Sequence, residues 1–174
     1  MNQPVSSTLA IIIPGYRWHT QMFNNMLKDI SDEDAEKRIE GRTNNIVWVL
    51  GNLVNCRYWW ANVLGIEDKD PHEALFKEGK PYDANATYPS LEEFKTNWHN
   101  ISKKLYEKLL SVTDEELKQP YEFGMSVDFV EENKLNMVGM AMDRCSYLLG
   151  QLGLLRRAVA NVGTSYEVDK NLSY

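Results

Sequence analysis

The chain has 174 residues, 43% of them hydrophobic and 25% charged, an ordinary balance for a single globular domain (residues 1–174) able to bury a sizeable core. Its formal net charge of −6 leaves no basic footprint for DNA or RNA and disfavours anionic membranes, so neither nucleic acid nor membrane is expected as a partner. Five Trp and nine Tyr supply aromatic core material that a disordered chain would lack.

Near the start, the apolar run from Leu9 to Ile13 is short, has no basic flank and is cut by Pro14-Gly15, unlike the core of a signal peptide. Cys56 and Cys145, without CxxC spacing, read as reduced, buried thiols, and the expected location is cytoplasmic. A first helix is predicted from about Tyr16 to Ile30, with Tyr16, Phe23, Met26, Leu27 and Ile30 on one face. Ser31-Asp32-Glu33-Asp34 then forms an acidic turn able to cap a short helix, and Gly41 breaks the pattern.

The second helix is predicted to begin with Thr43 or Asn44 as N-cap and to run to Leu64, stopped by Gly65. Arg57 is the only charge between Ile46 and Leu64, and apolar residues occupy every face, so this helix must be buried on all sides. Asn52, Asn55, Arg57 and Asn62 interrupt the same stretch and exclude a membrane span. The connection from Glu67 to Ser90, with Pro71, Gly79, Pro81 and Pro89, is long for a bare loop and is expected to wrap over one end of the domain.

Ser90 with Glu93 writes a capping box for the third helix, whose inward stripe is Leu91, Phe94, Trp98, Ile101, Leu105 and Val112. Thr113-Asp114-Glu115-Glu116 begins another acidic turn, and Pro120 to Val130 reads as irregular or weakly strand-like. The fourth helix is predicted from about Glu131 to Asn161, apolar nearly all round, with Gly139, Ser146, Gly150 and Gly153 close to one face. Each interior Gly costs about 1 kcal/mol of helix propensity relative to Ala, which close approach of another helix would offset. A homodimer through the second and fourth helices would account for both features; the alternative is that the Glu67–Ser90 connection covers the extra apolar surface. The stretch from Gly163 to Tyr174 shows no pattern, so residues 10–161 are expected to form the core and 162–174 a mobile tail.

The run Asp143-Arg144-Cys145-Ser146-Tyr147-Leu148-Leu149-Gly150-Gln151 resembles the last-helix signature of DinB/YfiT-like proteins, in which a His-x-x-x-His pair precedes Gly-Gln. Asn44-Asn45-Ile46-Val47-Trp48-Val49-Leu50-Gly51-Asn52 resembles that family's second-helix opening, and the two acidic turns resemble those after its first and third helices. The likeness spans roughly Ala10 to Ala160. It implies an all-α, four-helix bundle with a long connection between helices two and three. It also implies a divalent metal held by three histidines, which some members use in thiol-dependent transfer. The corresponding positions here are Asn52, Arg144 and Leu148. A neutral amide is a poor metal ligand, Leu has no lone pair and Arg carries a permanent positive charge, so no metal or other cofactor is expected.

None of His19, His72 and His99 shares i,i+3 or i,i+4 spacing with another, so they do not rebuild the triad; His19 is placed inward and His99 outward. If Arg144 fills the former metal position, its guanidinium would hold a small anionic ligand with Asn52, Asn55 and Tyr147; otherwise a carboxylate or exposure satisfies it. Cys56 lies one turn after Asn52 and reads first as a buried thiol, second as a nucleophile. The expected function is therefore a metal-free, non-catalytic DinB-like protein that binds a small anionic or amphiphilic ligand. One alternative is an enzyme using the same cavity through Arg144, His19 or Cys56, and another is a structural homodimer.

Overall fold

The computed structural model describes residues 3–124 and 128–174. Among them the only extended pairing is an isolated antiparallel bridge between Pro120 and Asn133; the regular elements are all helical. After a 3-10 turn at Ser7–Ile11 come α1 (Ile12–Leu27), α2 (Asp32–Glu36), α3 (Ile46–Val63), α4 (Glu73–Phe76), α5 (Leu91–Ser111), α6 (Asp114–Leu117) and α7 (Lys134–Ala160). The four predicted helices correspond to α1, α3, α5 and α7. Among the described residues no helix is long and apolar enough to cross a membrane.

Helix starts follow side-chain caps that satisfy otherwise orphaned N–H groups. Ser31 accepts from Asp34 N, Thr113 from Glu116 N and Asn133 from Asn136 N. The capping box of Ser90 and Glu93 is complete in both directions. The second predicted helix is capped by Asn45, not Thr43 or Asn44. Asn45 is extended, its Oδ1 accepts from Trp48 N at 2.9 Å, and its Nδ2 donates to Glu36 O at 3.2 Å. Thr43 is instead engaged with Ile39 N. The first helix starts earlier than predicted because Pro14 falls in its first turn, where a missing N–H costs nothing. It stops at Leu27, short of Ile30, and Asp29 takes a left-handed φ of 58°.

α1 packs on α5 and α7, and α3 packs on the same two helices. The predicted stripe of α5 is buried throughout, with Trp98 stacked on Phe23 of α1 at 4.3 Å. Each fully buried Leu, Ile or Phe of this core contributes roughly 1.5–3 kcal/mol relative to exposure. Gly15 marks the close approach of α1 to α7, since a Cβ there would lie 2.7 Å from Met142 Cε.

Two expectations are corrected. The Glu67–Ser90 connection does not wrap over an end; it runs back down the length of α3. Asn62 Nδ2 donates to Ile66 O and Asp68 O, Asn55 Nδ2 to Asp70 Oδ2, and Trp48 Nε1 to Lys80 O. Between these ties, Phe76 sits directly over Gly51. Within α3 only Asn62 remains exposed, and the connection covers the outer face of this apolar helix. Nor does the tail hang free. Asn25 Nδ2 donates to Glu167 O at 2.8 Å, Asp169 N to Gln21 Oε1 at 2.8 Å, and Tyr166 stacks on Trp18 at 6.2 Å.

Candidate functional site

Asn52, on α3, is 1% exposed; its Nδ2 donates to Trp48 O at 3.0 Å and its Oδ1 accepts from Arg144 Nη2 at 3.2 Å. Leu148, one turn beyond Arg144 on α7, is buried. Arg144 itself lies on the exposed side of α7, so solvent and Asn52 satisfy its guanidinium. The three positions do not fit a divalent ion: the amide oxygen is turned to a cation, the leucine offers nothing and the arginine repels. Among the described residues no three His, Cys, Asp or Glu side chains gather closely enough to hold a metal. Tyr147 is 67% exposed on the outer side of α7, and Asn55 serves the connection through Asp70, so neither joins the Asn52–Arg144 pair.

Deeper between α3 and α7, the sulfurs of Cys56 and Cys145 lie 3.9 Å apart, both buried. The Cys145 thiol is held well below its ordinary pKa by its hydrogen bond with Cys56, helped by His19 and the charge of Arg57. The same bond, with burial, pushes Cys56 up, which argues against Cys56 as the nucleophile. His19 Nε2 lies 3.0 Å from Ser146 Oγ, while its Nδ1 is buried without a partner.

Arg57 is the residue the sequence reading passed over. It is fully buried, its Cζ 4.1 Å from the Tyr16 ring centroid, 4.0 Å from that of Trp98 and 5.5 Å from that of Trp60. Among the described residues, and beyond a contact with the Tyr16 oxygen, none of its Nε, Nη1 and Nη2 atoms has a hydrogen-bond partner, and neither do Trp60 Nε1, Trp98 Nε1 or Ser102 Oγ. Burial pushes the Tyr16 phenol above its ordinary pKa, the Arg57 charge opposing it, and its hydroxyl donates to Ser102 O at 2.6 Å. The other buried arginine behaves differently. Arg156 donates to the Asn25 and Met26 carbonyls at the C-terminal end of α1 and to Gly163 O, a placement that also suits the helix dipole. The signal for Arg57 was a lone charge in a helix apolar on every face; its aromatic cage comes from three helices and has no local signature.

A cleft of about 530 Å³ opens among Arg17, Lys103, Tyr106, Glu107, Leu110 and Tyr174. Tyr106 stacks on Tyr16 at 6.1 Å, so two tyrosine rings separate this cleft from Arg57. Behind Tyr174 stands His99, half-buried and not outward as expected: its Nδ1 lies 3.0 Å from Tyr174 Oη and its Nε2 2.9 Å from Asn24 Oδ1. Asn24 Oδ1 can only accept, so Nε2 donates and Nδ1 accepts from the tyrosine in the neutral ring. Burial lowers the His99 pKa from its ordinary 6.5. The unfolded chain therefore binds this proton more readily, and His99 contributes stability above pH 6.5 that is lost as pH falls through 6.5 toward its lower folded value. Urea midpoints measured from pH 7 to 5 are expected to fall, and less so in His99→Asn; equal slopes would refute the assignment.

No protein-family model, curated protein or solved structure matches the chain.

Proposed function

We propose that this chain is a metal-free, non-catalytic four-helix bundle of the DinB-like kind that binds a small anionic or amphiphilic ligand in the cytoplasm. The observation that carries the metal-free reading is the chemistry at the triad positions, where Arg144 donates to Asn52 and Leu148 closes the core. Ligand binding is supported by the cleft beside Tyr106, whose lining brings together Arg17, Lys103 and Glu107. A second copy of the chain is the proposed partner, now through α7 alone. Gly139 and Gly150 there face open space, and Tyr147 and Leu154 are 67% and 66% exposed.

The test is elemental analysis by mass spectrometry after refolding with zinc, nickel, manganese and iron and then dialysis. Metal far below one ion per chain is expected in folded protein. Near-stoichiometric metal would refute the reading.

A further inference from the structure

We infer that Arg57 and the donors beside it form a binding site for a small monoanion, either a free halide or the carboxylate head of a small organic acid. This deepens the ligand-binding reading by naming the group that is held. Arg57 and Trp60 are three residues apart on α3, and Trp98 and Ser102 are four apart on α5, so each pair shares a helix face. The two pairs meet, because Trp98 lies 4.0 Å from the guanidinium and Tyr16, 4.1 Å from it, bonds to the Ser102 carbonyl.

The Tyr16 and Trp98 rings lie against the guanidinium at 4.1 and 4.0 Å, and ring contacts of this kind do not use its N–H bonds. Apart from a contact with the Tyr16 oxygen, which itself donates to Ser102 O, nothing in the described chain accepts from those N–H groups, nor from the Trp60, Trp98 and Ser102 donors. Cys145, whose thiol the Arg57 charge helps to hold down, makes no hydrogen bond to Arg57. Aromatic faces attract a cation but do not satisfy its N–H groups, and a buried arginine left without an acceptor is strongly destabilising. One fixed positive charge calls for a monovalent ion. The cleft rimmed by Arg17 and Lys103 gives the approach, with Tyr106 and Tyr16 as the rings that must part.

The test uses the full chain in halide-free sulfate buffer, titrated with bromide at constant ionic strength while tryptophan emission is read. Bromide bound beside Trp60 and Trp98 is expected to quench part of the emission saturably, and chloride to reverse it. Acetate and hexanoate separate the two sources. Competition by chloride alone assigns a free halide; hexanoate competing at tenfold lower concentration than acetate assigns a carboxylate whose chain lies in the cleft.

Arg57→Met should lose the saturable phase, and Arg57→Lys should weaken it at least tenfold because the planar fork is gone. Chlorine-35 line broadening of the wild-type chain, reversed by bromide, gives the same answer should a variant not fold. Quenching linear in bromide, the same in both variants, together with an unbroadened chlorine line, would overturn the inference. Hexanoate binding unchanged in Arg57→Met would also overturn it, while leaving ligand binding in the cleft intact.

Discussion

Replacing Gly51 with alanine is expected to destabilise the protein by about 2–4 kcal/mol, although alanine is the better helix former by about 1 kcal/mol. The reason is steric. A Cβ at position 51 would stand 2.0 Å from Phe76 Cζ and 2.1 Å from Cε1, far inside contact distance. Neither side has room to yield. Gly51 is in the middle of α3, and the Phe76 ring is 1% exposed, packed at 5.9 Å from Tyr88 and 6.1 Å from Phe94. The ring must leave, and expelling a buried phenylalanine costs about 3–5 kcal/mol, from which the propensity gain is subtracted. With total stability on the order of 5–15 kcal/mol, the change should be plain in urea unfolding. The sign then reverses in a second background. In Phe76→Ala the obstruction is gone, so adding Gly51→Ala should raise stability by up to about 1 kcal/mol. A neutral Gly51→Ala in the wild-type chain would show that Phe76 does not hold the connection against α3.

The same contact shows what periodicity and caps can reveal. The long helices and the α5 stripe were legible because helical spacing and capping residues are local signals, carried within a few turns of chain. The α3 start was ambiguous because Thr43, Asn44 and Asn45 are all competent caps; the Asn45 bond to Glu36, from outside the helix, decides between them. The path of the connection was illegible, since nothing near Phe76 says that its ring rests on Gly51. That Asn52 and Arg144 lie together was implied by the DinB-like resemblance alone, and they meet at 3.2 Å. How deep each would lie could not be read: a one-residue rotation of α7 separates buried Cys145 from exposed Arg144. The surroundings of Arg57 were illegible for the same reason, since they depend on rings from α1 and α5.

Treatment with diamide is expected to join Cys56 to Cys145 and to raise the unfolding temperature by roughly 5–15 °C. The two sulfurs already lie 3.9 Å apart across the α3–α7 contact and must close to about 2.05 Å for a bond. The thiols are not equivalent. Cys145, held down by its neighbours, supplies the sulfur that adds to the N=N bond of diamide. Cys56 then attacks that sulfur and displaces the hydrazine, so two protons and two electrons pass from the thiols to the reagent. The cross-link would close a loop of 89 residues, worth about 4–5 kcal/mol in chain entropy. Drawing two packed helices together strains the native state, so a gain of about 2–4 kcal/mol is the fair expectation. Intact mass should fall by two hydrogens, dithiothreitol should reverse both changes, and Cys145→Ser should abolish them. Both thiols are buried, so the reaction must wait for the α3–α7 contact to open, and its rate should rise when mild urea increases that opening. A chain that stays reduced in diamide with mild urea, or cross-links without gaining stability, would show that the two helices do not present these sulfurs to each other as described.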